Sequence, residues 1–347
     1  WYYFIPSSGE PRGLVHRIES GILGPLPGEK IAYSSWREQH QGLRWLLGGG
    51  GAGRVAMQYS PLCAIPYVAN VDAGTVELVR GMGVDVTSSA ELVQLFEARW
   101  TPEQLEMHLE AGRRVDGARQ EAFEMTRRAL RAGRVVTEFD LQQFVMRRFA
   151  ENGLVTNHGP IVGVNANASN PHYSPVEGQS ASIQRGDLLL LDLWAKLDHP
   201  DAVYYDVTWM AFAGEAPPQR MASVFHLVRD ARDAGIRRVM EATAAGKLLH
   251  GYEVDDAVRG HIATAGFGEY FTHRTGHSIG RETHGNGANM DNLETHDERS
   301  VIPGTCFSIE PGVYLPEFGV RSEVNVHVGQ EGARVTGEVQ RELVLLA

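Results

Sequence analysis

The sequence predicts an α+β fold whose main domain has two similar halves and follows a smaller α/β domain. The segments at residues 132–153 and 245–266 both begin Ala-Gly and end in Gly, and they lie 113 positions apart. At that offset Val145 aligns with Val258, and apolar residues four positions to either side also coincide, as expected for one helix face. Because 113 residues is too long for a solenoid unit, we interpret the repeat as two halves of one domain.

A helix start divides the chain into domains at residues 1–100 and 101–347. In TPEQ, Thr101 can cap a helix, Pro102 suits its first position, and Gln104 completes a capping box. Strand-like and helix-like segments alternate before this point, which predicts a small α/β domain. The run GGGGAG at residues 48–53 matches a dinucleotide-binding fingerprint, but a strand-like segment follows it, so we interpret it as a turn.

Composition excludes several classes of function. The 347 residues carry 32 Lys and Arg against 43 Asp and Glu, and this net charge of -11 argues against nucleic-acid or anionic-membrane partners. No apolar stretch approaches the roughly 20 residues of a membrane span. Two cysteines make a disulfide framework improbable, so we expect a cytoplasmic protein.

Carboxylates recur within apolar strands of both halves. In LLLLDLWAK, at residues 188–196, Asp192 interrupts an apolar run typical of a buried strand. Glu310 occupies the equivalent place in the second half, because both residues follow a glycine by six positions. The next strand of each half contains Asp206 or Glu323. If the halves pack about a pseudo-twofold axis, the four carboxylates converge.

Four buried carboxylates need positive charge, because like charges repel strongly at low dielectric. Two divalent cations, held roughly 3.5–4 Å apart, would supply it. The segment THRTGHSIGRETHG adds His273, His277 and His284 as nitrogen ligands or catalytic groups. Its HRTGH part superficially resembles a zinc-binding helix, but Gly276 and the missing Glu argue against that.

These motifs resemble the pita-bread metallopeptidases of family M24, which include Xaa-Pro aminopeptidases, prolidases and methionine aminopeptidases. Residues 101–347 resemble the pita-bread (creatinase/aminopeptidase) catalytic domain throughout. Residues 1–100 resemble the creatinase-like N-terminal domain of the aminopeptidase and prolidase branch, without its first elements. The matching motif residues are Asp192, Asp206, His277 in GHSIG, Glu310 in SIEPGVY, Glu323 in GVRSEV, and His172 in SNPHYSP.

The resemblance implies a two-metal centre. Asp192 would bind one ion, His277 and Glu310 the other, and Asp206 and Glu323 both. This oxygen-rich set with one imidazole favours Mn²⁺ or Co²⁺ and would also accept Zn²⁺ or Fe²⁺. A metal-bridging hydroxide would be the nucleophile.

The resemblance also implies roles for the surrounding side chains. Glu310 would carry a proton to the leaving nitrogen, while His172 and His284 would position the peptide and stabilise the tetrahedral intermediate. Residues expected to support the ligands or contact the substrate are His273, Tyr314 and Arg321.

The sequence departs from the family pattern around the second ligand. Asp192 and Asp206 are 14 positions apart, where the family has a shorter hairpin. The insertion at residues 196–205 contains Asp198 and Asp201, which are alternative second ligands. We prefer Asp206, because DVTWMAF resembles the strand that follows this ligand in the family.

We therefore expect a homodimeric metal-dependent aminopeptidase that hydrolyses the N-terminal Xaa-Pro bond of proline-containing peptides. A prolidase acting on Xaa-Pro dipeptides is the main alternative. A non-peptidase enzyme and a catalytically inactive peptide-binding module on the same fold also remain open. Retention of all five ligands argues against the last of these.

Overall fold

The structure, a computed structural model, describes residues 1–49 and 53–347. It divides the chain into two compact units, residues 1–90 and 91–347. The division falls earlier than the boundary at residue 101 expected from the capping box. The Gln94 side chain donates a hydrogen bond to the Ser300 carbonyl (2.9 Å) and accepts one from the Ala288 N–H (3.1 Å). These contacts join the segment before residue 101 to the second unit.

The first unit has mixed α/β structure. Strands β1 and β2 pair antiparallel, β3 pairs in parallel with β2, and β4 pairs in parallel with β5. Residues 50–52 of the glycine run lie outside the described residues, so its interpretation as a turn stays a prediction. The elements are β1 (Tyr2–Phe4), β2 (Arg12–His16), β3 (Glu29–Tyr33), α1 (Trp36–Leu46), β4 (Arg54–Met57), α2 (Ala73–Arg80) and β5 (Asp85–Ser88).

Helix α3 (Ala90–Glu97) leads into the second unit, which alternates long helices with strands. Its elements are α4 (Pro102–Arg131), α5 (Glu138–Glu151), β6 (Leu154–Val155), β7 (Ile161–Val164), β8 (Leu188–Leu197), β9 (Tyr205–Phe212), α6 (Gln219–Ala244), α7 (Gly251–Thr264), β10 (Ser278–Ile279), β11 (Cys306–Ile309), β12 (Gly312–Tyr314), β13 (Gly319–Arg321), β14 (Val324–Gly329), β15 (Gly332–Thr336) and β16 (Val344–Leu345). None of the helices in the described ranges combines the length and hydropathy that a membrane span requires.

The helix bounds reproduce the repeat. Helices α4 and α6 end at Arg131 and Ala244, and α5 and α7 begin at Glu138 and Gly251, in each case 113 positions apart. The aligned apolar residues of α5 and α7 are all buried. The predicted α+β fold with two similar halves is therefore confirmed.

Each half has its own sheet and hydrophobic core. The first-half sheet has the order β16-β9-β8-β6, with β7 also paired to β8, and the second-half sheet has the order β10-β11-β14-β15. Leu189 and Leu191 of β8 pack with α4 and α5, whereas Leu188 and Leu190 belong to the core of the second half. Strand β8 is thus buried on both faces, which accounts for its continuous apolar run.

The repeat predicts carboxylates within strands in both halves. This prediction is wrong for the second half. Glu310 follows the end of β11, and Glu323 immediately precedes β14. Pro311 ends the ladder at Glu310, because proline has no N–H to donate to a neighbouring strand. The two glutamates at strand ends of the second half therefore face the two aspartates within β8 and β9 of the first half.

Candidate metal centre

The first half supplies two aspartates on one sheet face. In the β8–β9 hairpin Asp192 pairs with Thr208, and Trp194 pairs with Asp206. Because side chains alternate along a strand, the two aspartates are diagonal neighbours on the same face. Both are buried, with 7% and 4% of their surface exposed.

The second half supplies an imidazole and two glutamates, and Ser308 of β11 organises part of this set. The His277 N–H donates to the Ser308 hydroxyl (2.9 Å), and that hydroxyl donates to Glu310 Oε1 (3.0 Å). The Ser308 N–H in turn donates to the His277 carbonyl (2.9 Å). Glu323 Oε2 accepts from the Thr208 hydroxyl (2.8 Å).

The structure brings the proposed ligands of both halves together. Asp206, His277 and Glu323 each place one ligand atom within 4.8 Å of the others. His277 Nε2 is 3.6 Å from Asp206 Oδ2 and 3.5 Å from Glu310 Oε1. The two alternative second ligands, Asp198 and Asp201, do not belong to this buried cluster. Both are exposed, and Asp201 forms an ion pair with Arg281 at 2.9 Å.

Asp192 lies at one end of a buried relay. Arg321 Nη2 donates to Asp192 Oδ2 (2.6 Å) and Arg321 Nη1 donates to the Tyr314 hydroxyl (3.0 Å). The Tyr314 hydroxyl lies 2.6 Å from His273 Nε2, and His273 Nδ1 lies 2.7 Å from the Arg274 carbonyl. Because a carbonyl can only accept, His273 is protonated at Nδ1 and accepts from Tyr314 at Nε2. The relay orients the Asp192 carboxylate.

The carboxylates are costly to ionise without a cation. Burial raises the pKa of Asp206 well above its ordinary value, and the neighbouring Asp192 adds to the shift. Burial also raises the pKa of Glu323 well above its ordinary value, and the charge of Asp206 is the next largest cause. Burial raises the pKa of Glu310 as well. Asp192 Oδ1 is buried without a hydrogen-bond partner among the described residues. A spare buried oxygen beside carboxylates and an imidazole fits a site built for divalent metal.

Three histidines of the site, His273, His277 and His284, have lowered pKa values and are therefore neutral near pH 7. Burial lowers the pKa of His277, and it lowers the pKa of His273 to about 3. The His284 ring packs edge-on against the His277 ring, with the ring centroids 4.3 Å apart. The electrostatic effect of His277 is the largest cause that lowers the pKa of His284 to about 3, and burial is the second. His172 is exposed on its loop and contributes to the low pKa of His284, so it lies within electrostatic range.

Residues 106–330, which contain this ligand cluster, match the family model of metallopeptidase family M24. The chain belongs to metallopeptidase family M24. This result confirms the family expected from the five motifs. The matched range contains all of the proposed ligands and site histidines.

Similar M24 proteins extend the comparison. An Xaa-Pro dipeptidase from Lactobacillus helveticus is 29% identical over 263 residues, which cover 76% of this chain but 65% of the relative's length. The dipeptidase PepE of Mycobacterium ulcerans superposes with a TM-score of 0.69 at 23% identity over 99% of this chain and 86% of its own. The X-Pro aminopeptidase of Thermotoga maritima superposes with a TM-score of 0.63 at 18% identity, over 96% of this chain and 86% of its own. The two solved structures confirm the pita-bread fold, and the chain spans about two thirds of the length of the Lactobacillus helveticus relative.

Sequence reasoning missed Ser308 and Thr208, which hold Glu310 and Glu323. A signal existed for both: Thr208 lies two residues from Asp206 on β9 and therefore shares its face, and Ser308 lies two residues before Glu310 at the end of β11. The sequence also left the role of the insertion at residues 196–205 open. Its Tyr204 N–H donates to the Gly280 carbonyl (2.9 Å), so the hairpin tip contacts the segment between His277 and His284.

We predict that Mn²⁺ binding to this M24 chain releases protons from carboxyl groups. Asp206, Glu310 and Glu323 have raised pKa values in the metal-free folded protein, so the folded state binds their protons more tightly than the unfolded state does. The resulting stabilisation is present at low pH and is lost as pH rises through the folded-state pKa values. Titration calorimetry in two buffers of different ionisation enthalpy should detect the release, which should decrease as the pH of the titration rises. The metal-free melting temperature should fall as pH rises from about 5 to 8, and bound Mn²⁺ should reduce this fall. A metal-free melting temperature that rises over this range would contradict the argument.

Proposed function

We propose that the chain is a dinuclear metallopeptidase of the Xaa-Pro aminopeptidase type, which hydrolyses the peptide bond before proline at the second position. The observation that carries the proposal is the buried convergence of Asp206, His277 and Glu323, with Glu310 beside them. In this proposal His277 and Glu310 hold one divalent ion, Asp192 the other, and Asp206 and Glu323 both. Mn²⁺ or Co²⁺ suits this oxygen-rich donor set.

Bound divalent ions would polarise the substrate carbonyl and lower the pKa of a water molecule. The neutral His284 would donate a hydrogen bond to the carbonyl oxygen as negative charge develops there. Glu310, whose pKa burial raises, can hold a proton and deliver it to the proline nitrogen. Exposed His172 would contact the peptide at the entrance. Proline presents a tertiary amide without an N–H, so nitrogen protonation is central to breaking its bond.

A second candidate is a prolidase restricted to Xaa-Pro dipeptides. The name of the Lactobacillus helveticus relative, an Xaa-Pro dipeptidase, favours this candidate. The two candidates share the metal centre and differ in whether a residue after proline is accommodated. A homodimer and a cytoplasmic location remain predictions from the sequence.

The substrate range tests the proposal. Mn²⁺-loaded protein should hydrolyse the first bond of Xaa-Pro-Yaa tripeptides, with little turnover when alanine replaces proline, and a chelator should stop the reaction. Matched dipeptides assayed beside the tripeptides separate the two candidates. Turnover of dipeptides alone would replace the aminopeptidase with the prolidase. Tight binding of either peptide by fully metallated protein without cleavage would instead support an inactive binding module.

A further inference from the structure

One edge of β9 meets the second half of the domain through side-chain amides. Asn325 Oδ1 accepts from the Asp206 N–H (3.0 Å), and Asn325 Nδ2 donates to the Asp206 carbonyl. One amide therefore satisfies both backbone groups of a residue 119 positions away. Asn325 is completely buried and lies in β14 between its partners Ser308 and Thr336.

Gln340 makes the same pair of contacts farther along the strand. Its Oε1 accepts from the Met210 N–H (2.9 Å) and its Nε2 donates to the Met210 carbonyl (2.6 Å). Gln340 is also buried, with 1% of its surface exposed. Both amides are thus expected to support folding, since a buried backbone group without a hydrogen-bond partner is destabilising.

The two amides differ in what they hold. Met210 is an apolar core residue, whereas Asp206 is a proposed ligand of both metal ions. Asp206 is also the second residue of β9 and lies one residue from Tyr205, where the pairing with β8 ends. Asn325 further lies two residues after Glu323, the other proposed shared ligand, which immediately precedes β14.

We propose that the Asn325 side-chain amide is a positioning group for the metal centre, which fixes the backbone of Asp206 and its spacing from Glu323. This inference rests on the proposed role of Asp206 as a ligand. Residues that orient metal ligands typically contribute about 10–100-fold to metal affinity. Gln340 provides a matched control, because its contacts have the same chemistry on the same strand without a ligand attached.

The test compares Asn325→Leu with Gln340→Met, since each variant removes both hydrogen bonds to the β9 backbone and puts an apolar group of similar shape in place of the amide. Gln340→Met also removes the hydrogen bond that Gln340 Nε2 donates to the Glu342 carbonyl (2.9 Å). Circular dichroism first establishes that each variant is folded, and Mn²⁺ affinity is then measured by titration well below the melting temperature. We expect both variants to melt earlier. Asn325→Leu should weaken Mn²⁺ binding about 10–100-fold, whereas Gln340→Met should leave it nearly unchanged. Equal affinity changes in the two variants would overturn the inference.

If Asn325→Leu does not fold, Asn325→Thr is the test variant instead. Threonine is favourable in a strand, but its side chain is too short to make both hydrogen bonds to Asp206. Unchanged Mn²⁺ affinity in folded Asn325→Thr would also overturn the inference. The variant Asp206→Ala distinguishes a failure of the positioning role of Asn325 from a failure of the proposed ligand role of Asp206. If Asp206→Ala binds Mn²⁺ like the parent, the ligand assignment fails; if it loses Mn²⁺ while Asn325→Thr retains it, only the positioning role fails.

Discussion

Replacement of Asp206 by alanine is expected to reduce bound Mn²⁺ from about two ions per chain to at most one and to reduce peptidase activity to background. Asp206 is 4% exposed, lies 3.6 Å from His277, and shares the ligand cluster with Glu323. A carboxylate that serves both ions cannot be replaced by water without loss of the bridge. Metal analysis after loading and dialysis measures the change, together with an Xaa-Pro peptide assay.

The metal-free Asp206→Ala protein should be at least as stable as the metal-free parent near pH 7. Removing one buried carboxylate relieves the repulsion that helps raise the pKa of Glu323. A thermal melt of both metal-free proteins measures this difference and separates metal loss from unfolding.

Asp201→Ala is the control on the same hairpin. Asp201 is exposed and paired with Arg281, and such surface ion pairs contribute little to stability. This variant should keep its metal and activity. Full metal retention in Asp206→Ala, or loss in Asp201→Ala, would show that the second ligand is misassigned.

Replacement of His284 by alanine should lower kcat by roughly 10²–10³-fold while leaving metal content unchanged. His284 packs against the proposed ligand His277 but belongs to no described cluster of metal-ligating groups. Its hydrogen bond would form mainly as negative charge develops on the substrate oxygen, so kcat should change more than KM. Steady-state kinetics and metal analysis of the same preparation measure both quantities.

The pH dependence provides a second test of His284. With its pKa lowered to about 3, this side chain is neutral from about pH 5 to 8 and should add no titration to the kcat profile there. His296→Ala is a suitable control, because His296 is exposed and lies later in the same polar segment. Loss of metal in His284→Ala, or an equal kcat loss in His296→Ala, would contradict the assigned role.

Local patterns in the sequence determined the helices and the first-half strands. The apolar faces around Val145 and Val258 and the capping box at Thr101 depend on spacing within a few residues. The apolar run around Asp192 likewise predicted β8 as a buried strand. These features could be predicted because helix and strand periodicities are local properties of the chain.

Contacts between distant segments were decided by the tertiary structure. The motifs predicted which carboxylates would converge, but not that Thr208 would donate to Glu323 or that Asn325 would bind the Asp206 backbone. Nor did local pattern show that Glu310 and Glu323 would both lie just outside the ends of strands. A side chain separated from its partner by more than a hundred residues carries no local periodicity that identifies the partner. That pairing arises only when the two halves pack, because buried polar groups must then find hydrogen-bond partners across the contact.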